Sequence, residues 1–554
     1  MKLRSSGILF SPYSGWILFL ALVVLAVFGV AWNFSYSGYD DFLILRDSAT
    51  TRWQGVGPLL GLWFSKIPNE LFYIPWSYTA LAVEHGLAQL FALPFPVVIH
   101  SVNVLLHTAN CLVVFLLFKK FGASAFACFV GSAIYGLHPL QVEAVGWTLG
   151  QRDLWSAFFA WSSVLIFPFD KNDKRTTEWA SQGLFVLSLL SKPTSIPVPF
   201  AMVVLAWGLS LPLRRYWYYA RTTLLLAGPI AIITLGMRAE QSSRMAQSVG
   251  DRIALTGYTM LLYAWKLVLP FGLVPHYANW GSEGVLASPA LWKFALAGWA
   301  LFIGLMLLLK GKRLYQGALA CLFVLASPSL GLHPFSFQIH SIIADRFLYL
   351  AMFGVAAVFV FFVGESRRKW TTGALAFGVC ACFAVLSAGQ IRLWGNSGTL
   401  WSANLVAYPH SRLARGNLAS HYEALGNHEA AIKVLLPYVE AFPGDDTLRV
   451  NLASMYGEQR QLDKAKEHLE AVLKRSPGNT TARRNLGNVY YLDRKWVAAI
   501  LEYEQVLEKE PSNLATIKDL GDCYLQLGKK DLARPFLERY LQFVPGDSET
   551  RAKL

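Results

Sequence analysis

Asn417-Leu418-Ala419-Ser420 returns as Asn451-Leu452-Ala453-Ser454, then as Asn485-Leu486-Gly487-Asn488, and again as Asp519-Leu520-Gly521-Asp522. Each step is 34 residues. Tyr422, Tyr456, Tyr490 and Tyr524 follow in register, as do Ala431, Ala465, Ala499 and Ala533, and Pro443, Pro477, Pro511 and Pro545. A period of this length fits one hairpin of two helices. Small residues let the paired helices approach, the Tyr fills the layer between them, and Pro ends the second helix. Residues 412–554 therefore predict an α-solenoid of four helical hairpins. Such arrays present a concave surface suited to peptide or protein partners.

Upstream the composition changes. The whole chain is 54% hydrophobic and only 15% charged, where a soluble domain carries about 25% charged residues. The deficit falls on 1–395, with 396–411 as the connector to the repeats. A spanning helix needs about 20 mostly apolar residues. Segments 14–34, 97–118, 121–139, 153–169, 179–192, 194–210, 217–236, 290–309, 314–331, 345–363 and 371–390 are the candidates. The fold class expected is therefore all-α: a polytopic domain of about eleven spans followed by the solenoid.

The net charge of +14 does not point to nucleic acid. Its basic residues sit in short clusters between apolar runs, such as Lys119-Lys120, Arg214-Arg215 and Arg367 to Lys369, where the positive-inside rule puts them. With Lys2 and Arg4 in the cytoplasm, alternation keeps these clusters inside if 253–270, which contains Lys266, does not cross. The repeats then face outward. The six cysteines show neither a disulfide framework nor zinc-ligand spacing.

This threading gathers polar groups on the outer face, in 36–96 (the first external loop) and around 138–153 and 333–346. Just beyond the first span, Asp40 and Asp41 stand side by side. Adjacent carboxylates there suit a general base, an orienting group or a metal ligand, or merely an acidic helix start. His107, on the apolar second span, reads as an internal hydrogen-bond partner.

The order of several blocks resembles the GT-C membrane glycosyltransferases. More specifically, it is similar to the family of transmembrane and tetratricopeptide-repeat O-mannosyltransferases. The blocks are Tyr39-Asp40-Asp41; Leu71-Phe72-Tyr73-Ile74-Pro75; Asn103 to His107; His138-Pro139 to Val145; Gly150-Gln151-Arg152-Asp153; Ser191-Lys192-Pro193; Leu269-Pro270 to Tyr277; Ala344-Asp345-Arg346 to Leu350; and Arg392-Leu393-Trp394. The chain departs from the family at Lys192-Pro193, where Lys-Glu is common, and at Asp345-Arg346, where Glu-Arg is usual.

The resemblance implies a polyprenyl-phosphate sugar as donor, mannose being favoured, and a Ser or Thr hydroxyl of an exported protein as acceptor. It implies Asp40 or Asp41 as the base, with inversion at the sugar. The leaving lipid phosphate needs cations, for which Arg152, Lys192 and Arg346 are the candidates, with His138 and His340 next. Arg suits bidentate phosphate contacts and Lys a point charge. No cofactor and no metal are expected. The predicted location is a bacterial inner membrane with periplasmic repeats; an endoplasmic-reticulum membrane with luminal repeats is topologically equivalent. The competing readings are a non-enzymatic scaffold whose repeats recruit exported proteins, and a related enzyme acting on a lipid or cell-envelope acceptor.

Overall fold

The computed structural model describes residues 12–38, 41, 45, 49–64, 73–169, 175–242, 248–277, 286, 288, 290–333, 336–339 and 341–554. The chain divides into two compact units, Met1–Pro409 and His410–Leu554. Every regular element among the described residues is helical.

The main helices of the first unit are α1 (Pro12–Phe28), α2 (Pro75–Leu90), α3 (Phe95–Lys120), α4 (Ala125–Leu137), α5 (Gln151–Ile166), α6 (Arg175–Ser191), α7 (Val198–Gly208), α8 (Leu213–Ser242), α9 (Val249–Val268), α10 (Leu291–Leu308), α11 (Arg313–Ala326), α12 (Met352–Glu365), α13 (Lys369–Ile391) and α14 (Ser397–Ala407). Among the described residues, Pro12–Asn33, Phe95–Lys120, Leu291–Leu308 and Lys369–Gly395 are long and apolar enough to cross a membrane. Ala125–Leu137 with Pro139–Gly146 makes a fifth if that pair, bent by 52°, is one span. This is a multi-pass membrane architecture, but length and composition stop short of the eleven spans expected.

The shortfall has a physical cause. Helices α5 and α6 carry buried polar residues that satisfy one another. Ser163 and Ser181 hydroxyls lie 3.1 Å apart, and Ser188 donates to the Ser156 carbonyl at 2.7 Å. Such interhelical hydrogen bonds lower mean hydropathy while holding helices together. The apolar helices α7 and α12 are short. The segment expected not to cross, 253–270, lies largely in α9, which opens on a Ser248–Asp251 capping box. Helices α9 and α10 cross backbone to backbone: a Cβ on Gly298 would fall 1.8 Å from the Gly257 carbonyl oxygen.

The second unit continues with α15 (Arg412–Ala424), α16 (His428–Ala441), α17 (Asp446–Glu458), α18 (Leu462–Arg475), α19 (Thr480–Leu492), α20 (Trp496–Lys509), α21 (Leu514–Gln526) and α22 (Lys530–Phe543). These are the four expected hairpins. The caps recur with the sequence. Ser411, Asp445, Asn479, Asn513 and Asp547 each accept a backbone N–H three residues on, which satisfies one donor left bare at a helix start. The small column also has its reason, since a Cβ on Gly487 would lie 2.5 Å from the Tyr503 ring.

Candidate functional site

The first described acid of the loop, Asp41, is completely buried. One carboxylate oxygen accepts from the Ser37 backbone N–H and hydroxyl, both at 2.7 Å. The other accepts from Trp147 Nε1 at 3.2 Å and from the Thr148 hydroxyl. Two donors on each oxygen use the acceptor capacity of a carboxylate. Trp147 and Thr148 belong to a sharp turn between the short helix Val142–Gly146 and α5. At Gly150 in that turn, a Cβ would fall 2.3 Å from the Ala144 carbonyl oxygen, so only glycine fits.

Trp147 has a second role. The Arg346 guanidinium lies 4.7 Å from its ring centroid, 4.9 Å from Phe337 and 5.0 Å from Phe347. Arg346 also pairs with Glu143, whose other oxygen accepts the Arg346 backbone N–H at 2.9 Å. Both side chains are buried. One indole thus joins the loop acid to the cation, although Asp41 and Arg346 are 305 positions apart by number.

Lys192 donates to both oxygens of Asp153 at 2.7 Å and feels the positive charges of Arg346 and Arg152. Arg152 donates to the Tyr78 hydroxyl at 3.1 Å. The three cations singled out from the sequence therefore do converge, with Glu143 and Asp153 among them. His138 is engaged elsewhere: its Nδ1 accepts from the Leu140 N–H, its Nε2 pairs with the Leu267 carbonyl at 3.1 Å, and its ring packs on Phe383. His107 bridges the Tyr349 hydroxyl and the Gly136 carbonyl. Asp40 and His340 lie outside the described residues. Among the described residues, no three His, Cys, Asp or Glu side chains gather as a metal site.

Helix α2, inside the long loop, is docked onto this cluster. Ser77 donates to the Ser191 carbonyl at 2.8 Å, Tyr78 receives Arg152, and Gln151 donates to Glu84 at 3.0 Å. Burial pushes the Glu84 carboxyl up to about 8, with the Gln151 hydrogen bond opposing. Sequence reading missed Glu84, Tyr78 and Thr148. A lone acid in a mostly apolar helical run was the available signal for Glu84.

Two hollows adjoin the cluster. A small pocket of mixed character is lined by Asp153, Thr194, Ser329, Arg346 and Phe347, with Leu325, Pro328 and Leu350. An apolar groove runs between α9, α10 and α11, lined by Met260, Tyr263, Leu267, Leu301, Phe302, Phe323 and, at one end, Ala326 and Leu348. Leu325 and Phe347 of the pocket are the chain neighbours of Ala326 and Leu348 of the groove. An arrangement of buried cations beside an apolar hollow can take an amphipathic anion.

Comparison with known proteins agrees with the motif reading. The description "Tetratricopeptide repeat" matches residues 400–446, 450–513 and 491–554. The human Protein O-mannosyl-transferase TMTC4 is 24% identical over 494 residues, covering 74% of this chain and 65% of the relative. The mouse protein of the same name is 23% identical over 443 residues, covering 67% and 59%. The chain thus spans less than two thirds of either relative. Among solved structures, MamA from Desulfovibrio magneticus RS-1 (residues 41 to its end) matches 30% of this chain and 92% of its own, at 14% identity and a TM-score of 0.25. Yeast Tom70 matches 82% and 94% at 12% identity and a TM-score of 0.26.

Proposed function

We propose that the chain is a GT-C membrane glycosyltransferase. It moves a sugar, mannose by preference, from a polyprenyl-phosphate donor to Ser or Thr hydroxyls of exported proteins, which the repeats bind. The observation that carries this reading is the Trp147 bridge. It sets the acidic loop against buried Arg346, next to a groove of lipid character. The names of the human and mouse relatives support the same reaction class.

In this reaction the acceptor hydroxyl oxygen attacks the anomeric carbon while its proton passes to a carboxylate. The bond from that carbon to the phosphate oxygen breaks, and its electron pair leaves with the lipid phosphate. Preplaced cations stabilise the charge that develops there. Arg152, Lys192 and Arg346 supply the positive field, and the polyprenyl chain occupies the apolar groove.

Of the two acids, Asp41 has both oxygens committed to four donors, which leaves it a poor proton acceptor. Asp41 is a positioning residue that ties the loop to the turn before α5, and Asp40 is the base. The location proposed is a bacterial inner membrane, with the N-terminus cytoplasmic and the repeats periplasmic.

Transfer of radiolabelled sugar from polyprenyl-phosphate mannose to an exported protein tests the reading. Asp40→Asn is expected to lower turnover by about 10²–10⁴-fold, the usual worth of a general base, while leaving melting behaviour unchanged. Asp41→Asn is expected to lower both activity and the protease resistance of the loop. An intact chain that transfers no lipid-linked sugar, or an Asp40→Asn variant as active as the parent, returns the protein to the scaffold reading.

A further inference from the structure

Lys266 is the buried cation that none of these roles uses. It sits near the end of α9, 5% exposed. Its ammonium lies 4.3 Å from the Tyr277 ring centroid and feels the negative charge of Asp345. Among the described residues, no oxygen accepts a hydrogen bond from it. Tyr277 turns its hydroxyl to Asp345 instead, at 2.7 Å.

This situation is costly. A largely buried ammonium loses much of its hydration, and a ring face plus the field of one carboxylate replace only part of it. The other cations of the region differ from it in kind. Glu143 holds Arg346, and Asp153 grips Lys192 with both oxygens. Lys266 keeps three N–H donors uncommitted, on a stem flexible enough to redirect them.

Its place on the helix says what the partner is. Met260, Tyr263, Ala264 and Leu267 of α9 line the apolar groove, and Lys266 follows one turn after Tyr263, on the adjacent face of the helix. Tyr263 both lines the groove and donates its hydroxyl to the Ala344 carbonyl at 3.1 Å, directly before Asp345 and Arg346. The ligand this juxtaposition fits has a long apolar chain and an anionic head.

We infer that Lys266 is the head-group contact for the phosphate of a polyprenyl-phosphate lipid whose chain lies in the groove. The inference rests on the donor proposed above and adds a residue to it. As the sugar leaves, the electron pair of the broken bond stays on the phosphate oxygen, and the Lys266 ammonium takes up a hydrogen bond to that phosphate.

The test compares binding of polyprenyl phosphate and of the uncharged polyprenol of equal length to the purified full-length protein, by native mass spectrometry in detergent. The intact protein should prefer the phosphate. Lys266→Met should lose that preference by about tenfold or more, the worth of one charge-assisted hydrogen bond, while still binding the alcohol. Lys266→Arg should keep most of it. Lys266→Met should melt no lower than the parent, because it removes a largely desolvated charge that no protein oxygen among the described residues holds; Lys266→Gln serves if the Met variant does not fold. In turnover, the donor KM should rise while the acceptor KM stays fixed.

Either an intact protein without preference for the phosphate, or a Lys266→Met variant that keeps it, overturns the inference. Phosphate preference lost with Lys266 in a protein that transfers no sugar leaves the lipid site standing and removes the enzyme reading. Sugar transfer with an undiminished preference in Lys266→Met does the reverse.

Discussion

Arg412 with Asp445 and Arg346 with Glu143 are the same chemistry in two units, and they carry very different weight. The first pair, at 2.6 Å, recurs in spirit along the repeats, where Arg484 meets Asp519 at 2.7 Å and Lys518 meets Asp547 at 2.9 Å. The Arg412 side chain is 53% exposed. The second pair is not part of a repeat, and its side chains are 6% and 3% exposed. In the solenoid, information is local and repeated, so each contact is small and replaceable. In the membrane unit, information is long-range and single, so each buried polar pair is decisive.

The largest expected effect follows from breaking the single pair. Glu143→Gln leaves the Arg346 guanidinium buried among three rings without its carboxylate, a loss of about 3–5 kcal/mol for a broken buried pair. Denaturation in detergent should show that loss, together with failure of sugar transfer. Arg412→Ala should cost about 1 kcal/mol or less, as exposed pairs do, and leave transfer intact. Equal losses in the two variants would break the comparison.

What was legible in the sequence divides along the same line. The hairpins, their small and aromatic columns and their Pro stops all follow from a period of 34 residues. The convergence of Arg152, Lys192 and Arg346 was legible only as separate motifs. Their partners are remote: Glu143 is 203 positions from Arg346, and Thr148 is 107 from Asp41. No local pattern encodes such contacts. By length and composition, four or five helices among the described residues qualify as spans, and apolar runs do not reveal where a helix ends. Residues 314–331 form one apolar run, whereas α11 stops at Ala326 and gives way to the short turn Ser327–Ser329. Adjacency does not separate Asp40 from Asp41, and the donors that hold Asp41 from Trp147 and Thr148 are likewise remote in sequence.

A smaller effect comes from Glu84, the buried acid of α2. Its carboxyl stays protonated in the folded protein to about pH 8 and ionises near 4.5 when unfolded. The unfolded state therefore releases its proton first as pH rises. This contribution to stability is complete below pH 4.5 and is lost progressively as pH climbs through about 8. Glu84→Gln keeps an oxygen to accept from Gln151 and has no proton to lose. Melting of the parent should fall between pH 6 and 8.5 more steeply than that of the variant. Parallel curves would mean that α2 does not enclose this carboxyl.

The smallest effect lies in the repeats, where one backbone position can be compared across four copies. Gly426, Arg460, Arg494 and Gly528 fall 34 residues apart and all have positive φ, at 69°, 58°, 58° and 73°. Each makes the turn between the two helices of its hairpin. An L side chain in that region costs roughly 1–2 kcal/mol, while a glycine gives back about 0.5–1 kcal/mol through its freer unfolded chain. Arg494→Gly should therefore stabilise its hairpin by a few tenths to about 1 kcal/mol. Arg460→Gly should gain less, because the Arg460 guanidinium donates to the Leu492 carbonyl at 3.3 Å and that bond is lost. Native-state hydrogen exchange of the amides in α20 and α18 reads each hairpin within the full chain. Slower exchange in α20 than in α18, relative to the parent, is the expected order. A stabilisation spread evenly over all eight repeat helices would instead mean that the solenoid opens as one unit, which would narrow its difference from the membrane unit.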